Sequence, residues 1–228
     1  DGKILACENI KLACKRFMDF LDMEDRYFDV EDVERTIRFF ERFRHFTGQY
    51  NNKPFILQEW QKFMICGIYG FKWKKDNTRV TRTFILSVSR KQGKTSCISI
   101  MAIKALLEEN NAQVIVAANS ASQASILFKM ASSYLKSLGG KVDKLFRRFR
   151  DRIMFDKTDS SMRVVSADAS RLDGLNCNFA VVDEISQAPN SDVYDVLESS
   201  MGSRQQPLMC CCTTRSNNQS GFYKELEQ

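Results

Sequence analysis

The chain has 228 residues, a formal net charge of +6, and 43% hydrophobic against 27% charged content, ordinary values for one large globular domain or a domain with a small appendage. No segment approaches the ~18 unbroken apolar residues of a membrane-spanning helix, and the N-terminal "DGKILACENIKLACKRF" lacks the apolar centre of a signal peptide, so an intracellular protein is expected. Eight cysteines without a CxxC pair, three of them consecutive at Cys210-Cys211-Cys212, and a single histidine, His45, exclude a disulfide scaffold and zinc-ligand spacing; the cysteines read as small buried hydrophobes.

The first part of the chain reads helical. "CENIKLACKRFMDFLDM" sets Ile10, Ala13, Phe17 and Phe20/Leu21 at helical spacing, and "DVEDVERTIRFFERFRHF" does so with Val30, Val33, Ile37 and Phe40 behind an Asp29 N-cap. After Pro54 a third helix is expected in "LQEWQKFMICGIYGF".

From residue 80 short β-branched runs alternate with helical patterns: "RTFILSV" as strand, 94–108 as helix, "QVIVAA" as strand and 120–137 as helix. "RIMF" and "MRVVS" then suggest a hairpin across "DKTDSS", followed by strands in "NFAVVD" and "QPLMCCCTT". Strand–helix–strand units call for an α/β fold, a mostly parallel sheet with helices on both faces, behind an N-terminal helical segment. We divide the chain into residues 1–53, helical, and 54–228, α/β. Within the second part, "KVDKLFRRFRDR" concentrates Lys141, Lys144, Arg147, Arg148, Arg150 and Arg152 against two aspartates; it reads as a solvated surface loop or as a contact for phosphate backbone or another subunit.

Sheets of this kind bind ligands at the carboxyl ends of their strands. There stands "SVSRKQGKT", a strand exit with Gly93-Lys94-Thr95 opening a helix. Such a turn aims backbone N–H groups at phosphate oxygens: Ser89, Arg90, Lys91, Gln92, Gly93 and Ser96 complete the loop, Lys94 reaches the β- and γ-phosphates, and Thr95 offers a hydroxyl to Mg²⁺. Val88 occupies the position where the general phosphate-loop pattern has its first glycine. "NFAVVDEIS" ends an apolar strand in Asp183, suited to hold the metal's water shell, and Glu184, suited to polarise an attacking water. Thr213 and Thr214 end another apolar strand, where hydroxyls could sense a γ-phosphate.

In this order the motifs resemble the ATPase domain of the large terminase subunits of tailed bacteriophages, DNA-packaging motors of the P-loop NTPase (ASCE/RecA-like) class. That family's loop often drops the first glycine and carries an early basic residue, as "SRKQGKT" does. The resemblance implies ATP and Mg²⁺ as ligands. It implies phosphate binding by Lys94, metal binding by Thr95 and Asp183, and catalysis by Glu184. Arg90 would stabilise the γ-phosphate in cis, and Thr213-Thr214-Arg215 would couple hydrolysis to movement. "FILQEWQKF" is similar to the family's adenine-recognition segment, with Gln58 reading the base and Trp60 packing nearby; the alternative is an amphipathic helix with a core tryptophan. In "SADASRLDGLNCNFAVVDE", Arg171 is a candidate finger for a neighbouring subunit's site, or an ion-pair partner of Asp168 or Asp173.

The resemblance further implies double-stranded DNA as partner, a homo-oligomeric ring, the portal protein and small terminase subunit, no membrane, and the host cell cytoplasm as location. The chain stops at Gln228, before the family's nuclease domain would fit, so ATP hydrolysis without nuclease activity is expected. The competing functions are a helicase-type ATPase and a nucleotide-dependent assembly switch that does no mechanical work.

Overall fold

The structure is a computed structural model that describes residues 6–118, 121–166, 174–214 and 222–226. The chain forms two compact units that interleave in sequence: Asp1–Arg38 with Leu57–Thr81, and Phe39–Ile56 with Arg82–Gln228. No helix among the described residues is long and apolar enough to cross a membrane.

The smaller unit is built on aromatic edges. It contains α1 (Glu8–Leu21), β1 (Arg26–Phe28), most of α2 (Val30–Phe40), α3 (Glu59–Ile65) and β2 (Phe71–Trp73), with β1 and β2 antiparallel. Phe17 packs edge-on against Phe28 and Phe71, and Phe20 meets Phe71 at 5.2 Å, so the α1 stripe is anchored by its aromatic members. Ile10, expected on that stripe, is 53% exposed. Asp29 caps α2 as expected, its Oδ1 accepting the Asp32 amide at 2.9 Å. The helix stops at Phe40 rather than running to Phe46. The third helix is also shorter than its periodicity predicts: a π-helical turn, Cys66–Gly70, intervenes and Phe71 begins a strand. The reason is a tertiary contact: the chain passes Phe28 at Gly70, where any side chain would collide with the Phe28 ring.

The larger unit carries a seven-stranded sheet in the order β3 (Thr83–Ser87), β9 (Leu208–Thr213), β8 (Phe179–Asp183), β4 (Gln113–Ala118), β7 (Ser160–Ser166), β6 (Arg152–Phe155) and β5 (Phe146–Arg148). From β3 to β7 all neighbours are parallel, and β6 and β5 add an antiparallel edge. The expected hairpin is present as the β6–β7 pair. The segment 141–152, expected as a loop or contact surface, instead includes part of α6 (Gly140–Asp143) and the edge strand β5.

Pleating divides the sheet's side chains between two helical layers. Ile115 and Ala117 of β4 join Ala180, Val182, Met209 and Cys211 in a cluster with Tyr194 and Leu197 of α7 (Asp192–Ser200). The opposite face, with buried Val114 and Val116, is covered by α4 (Lys94–Glu108) and α5 (Ala121–Ser137), which pack on β4, β7 and each other. This is the sandwich that right-handed crossovers require, because the strand path reverses direction after β7. α4 is buried nearly all round, so the turn that begins it is held by the core. A short α8 (Phe222–Leu226) places Phe222 5.3 Å from the Tyr194 ring.

All eight cysteines are free thiols. Cys97, Cys177 and Cys210 to Cys212 are buried as expected, but Cys7 and Cys14 are exposed, a correction that follows from their place on the solvent side of the N-terminal segment.

Candidate active site

The sheet register brings the candidate residues together. Ser87 at the end of β3 is level with Thr213 of β9, and Cys212 is level with Asp183 of β8. β9 therefore separates the phosphate-loop strand from the acidic strand, a gap of about 10 Å for two strand spacings, which a lysine side chain can bridge. The loop is tied to β9 directly, the Val88 amide donating to the Thr213 carbonyl at 3.4 Å.

Two backbone conformations shape the loop. Gly93 has φ +80° immediately before α4, in the left-handed region that glycine adopts without penalty. Lys91 has φ +65°, a costly conformation for a residue with a side chain and a mark of a tightly determined turn. Ser89, Arg90, Lys91 and Gln92 are exposed, and Arg90 makes no ion pair among the described residues. Ser96 turns toward α5, its hydroxyl 3.4 Å from the Met130 sulfur.

Lys94 leads α4 and is 8% exposed. Its ammonium lies 3.2 Å from Glu184 Oε1 and 3.6 Å from Asp183 Oδ1. Burial disfavours its charge, but the Asp183 and Glu184 carboxylates beside it hold its pKa above the ordinary lysine value. The position at a helix N-terminus, with a cation and free amides, is an anion site; the two carboxylates now occupy the cation.

Glu184 is held from several sides. Its Oε2 accepts from the Thr214 amide at 3.2 Å and from the Thr213 and Thr214 hydroxyls, each at 3.3 Å. Burial pushes its pKa up, but the Thr214 amide, Lys94 and the Thr213 hydroxyl outweigh that and hold it below the usual glutamate value. Its backbone sits at φ +54°, a strained setting that these bonds maintain.

Asp183 Oδ1 accepts the Glu184 amide and the Cys212 thiol, each at 3.0 Å. The hydrogen bond to Cys210, then burial, push the Cys212 thiol far above its usual range, so it stays protonated and can donate. Asp183 Oδ2 and the half-buried Thr95 hydroxyl have no partner among the described residues. They are hard oxygen donors of the kind magnesium takes alongside water and phosphate. Among the described residues no group of three or more His, Cys, Asp or Glu side chains is arranged to hold a metal ion by itself.

Gln58 and Trp60 belong to the smaller unit. Gln58 precedes α3, its amide donating to Gln61 Oε1 at 2.8 Å, and Trp60 is half-buried in the helix. Arg171, Asp168, Asp173 and Arg215 lie outside the described residues. Two contributors were missed in the sequence: Cys212, through Asp183, and Ser186, whose hydroxyl is 2.6 Å from that of Thr213. The only sequence signal for Ser186 is its place two residues past Glu184; nothing local marks Cys212, which is set by strand register.

Comparison with known proteins identifies the family of the fold. A family model described as the terminase large subunit ATPase domain matches residues 59–228. The terminase large subunit of Enterobacteria phage HK97 is 28% identical over 193 residues, covering 81% of this chain and 37% of that protein. The crystal structure of the HK97 large terminase superposes with a TM-score of 0.68 at 27% identity, over 82% of this chain and 38% of that one. The ATPase domain of the Thermus phage P74-26 large terminase, solved as a variant, shares the fold at a TM-score of 0.50 and 21% identity, covering 60% of this chain and 61% of that one. The chain thus spans under two fifths of the length of the HK97 protein. With the family model covering most of its length, this chain belongs to the terminase large subunit ATPase domain family.

Proposed function

We propose that the chain is a motor domain that hydrolyses ATP to drive double-stranded DNA into a procapsid. The observation that carries this reading is the Lys94 ammonium at the head of α4 lying against both Asp183 and Glu184. One ligand placed there would meet phosphate-binding, metal-holding and water-activating groups at once.

In this reading a triphosphate draws Lys94 from the carboxylates, its β- and γ-oxygens taking the ammonium and the amides of the loop. Thr95 and Asp183 would hold Mg²⁺, which when bound neutralises charge on the phosphate oxygens. Glu184, released by Lys94 but still fixed by Thr213 and Thr214, orients a water and accepts its proton. Arg90, exposed on the loop, stabilises charge on the γ-phosphate. Ser89, Lys91, Gln92, Gly93 and Ser96 complete the nucleotide loop, while Gln58 and Trp60 recognise adenine. Thr213, Thr214 and Arg215 pass the loss of phosphate onward through the strand end.

Arg171 is proposed as a finger supplied to a neighbouring site, which makes a homo-oligomeric ring the working form. The portal protein and small terminase subunit are the proposed partners, in the host cytoplasm. For DNA we assign the exposed cations Lys141, Lys144, Arg150 and Arg152. Among the described residues they form no ion pair, whereas Arg147 and Arg148 are engaged by Asp156 and Asp143. Exposed cations of this kind suit a phosphate backbone.

The test is steady-state ATP hydrolysis against protein concentration, with and without double-stranded DNA. A rate per subunit that rises with concentration and with DNA is expected. Binding without turnover would favour an assembly switch, and stimulation by single strands alone would favour a helicase-type ATPase.

A further inference from the structure

We infer that Ser186 is a positioning residue for hydrolysis, acting on Glu184 through the Thr213 hydroxyl; the inference rests on the proposed ATPase reading. Ser186 follows Glu184 by two residues, in the 3₁₀ turn Ile185–Gln187, and is 8% exposed, while Thr213 at the end of β9 is fully buried. Their hydroxyl oxygens are 2.6 Å apart, a short bond between two buried residues.

A hydroxyl donates once, and the Thr213 hydroxyl has two acceptors other than Ser186: Glu184 Oε2 at 3.3 Å and the Thr214 carbonyl at 3.0 Å. If Thr213 gave its proton to Ser186, the part-buried glutamate oxygen would lose a donor. Among the described residues Ser186 has no other hydrogen-bond partner, so its own proton has one use, donation to Thr213. That leaves the Thr213 proton for Glu184 or the neighbouring carbonyl. Donation from Ser186 also polarises the Thr213 hydroxyl and strengthens it as a donor to a carboxylate.

The consequence concerns the catalytic position. While Lys94 holds Glu184 Oε1, the carboxylate is fixed at both ends. Once a nucleotide takes Lys94 away, the Thr213 and Thr214 contacts still keep Oε2 in place and leave Oε1 directed at the water. Ser186 therefore matters most in the nucleotide-bound state. It also joins the turn after β8 to the end of β9, the elements proposed to transmit hydrolysis.

The experiment compares wild type, Ser186→Ala, Thr213→Val and the double variant in ATP turnover and nucleotide affinity, with Glu184→Gln as the marker of the underlying reading. Ser186→Ala should lower kcat roughly 5- to 10-fold, the effect of one hydrogen bond, with nucleotide Kd unchanged. In the Thr213→Val background it should cost nothing further, since its target is gone; a residue that merely fills space would cost the same in both backgrounds. Ser186→Cys, which keeps a weak donor at similar size, should fall between wild type and Ser186→Ala. Unchanged kcat in Ser186→Ala, or equal losses in both backgrounds, would overturn the inference alone. A wild type without turnover, or turnover surviving in Glu184→Gln, would overturn the ATPase reading and this inference with it.

Discussion

Replacing Glu184 with Gln changes two atoms' chemistry at nearly constant shape. Oε1 accepts from Lys94 at 3.2 Å, and Oε2 accepts from the Thr214 amide and two hydroxyls at 3.2 to 3.3 Å. A glutamine has a single acceptor oxygen, so its NH₂ must face either the Lys94 ammonium or the threonine donors. The cheaper choice sacrifices the Lys94 contact, a charge-assisted bond of about 2 kcal/mol. For a chain of this length that lowers Tm by roughly 4–8 °C. Removing the group that takes the water's proton should cost ~10²–10⁴ in turnover, with ATP binding retained. The assays are phosphate release, nucleotide affinity and thermal melting on the same preparation. Turnover within twofold of wild type would refute the catalytic role, and an unchanged Tm would refute the hydrogen-bond network. The pH dependence has a definite sign. The folded pKa of Glu184 lies below its ordinary 4.5, so its contribution is full above that pH and is lost as pH falls through the lower folded value. The Tm gap between wild type and variant should therefore close on acidification.

Lys94→Ala leaves Asp183 and Glu184 side by side without their cation, which should cost ~3 kcal/mol of stability and abolish nucleotide binding; tight binding by a folded variant would contradict the phosphate-loop assignment. Alanine at Lys141, Lys144, Arg150 and Arg152 together should flatten the salt dependence of DNA affinity, by about 0.9 in log–log slope for each lost phosphate contact, with basal hydrolysis unchanged. An unchanged slope would move the DNA contact elsewhere. Timed alkylation followed by mass spectrometry should label Cys7 and Cys14 first. Burial pushes Cys97 up to about 12 and Cys177 above the usual thiol value, so early labelling of either would contradict the buried assignment.

The parallel sheet was legible because its central strands are apolar β-branched runs followed by a turn signal or helical pattern, as in "QVIVAA" and "NFAVVD". The phosphate loop and acidic pair were legible because their chemistry demands particular residues in a particular local context. What escaped was set at a distance. The end of α3 depends on Phe28 filling the space beside Gly70, a contact between residues far apart in sequence. β5 became an edge strand because Phe146 stacks on Phe155 at 5.0 Å, whereas the cations around it dominate the sequence impression. Cys212 and Ser186 gain their roles from the register of β9 against β8 and from one buried hydroxyl pair, neither of which has a periodicity to read.

The most direct measurement is a structure of this chain with Mg²⁺ and a non-hydrolysable ATP analogue. The account predicts one triphosphate at the N-terminus of α4, Lys94 turned from Glu184 to the phosphates, and the metal shared by Thr95, Asp183 and phosphate oxygens. A nucleotide bound away from α4, or one held by the loop while Lys94 stays locked to Asp183 and Glu184, would contradict it.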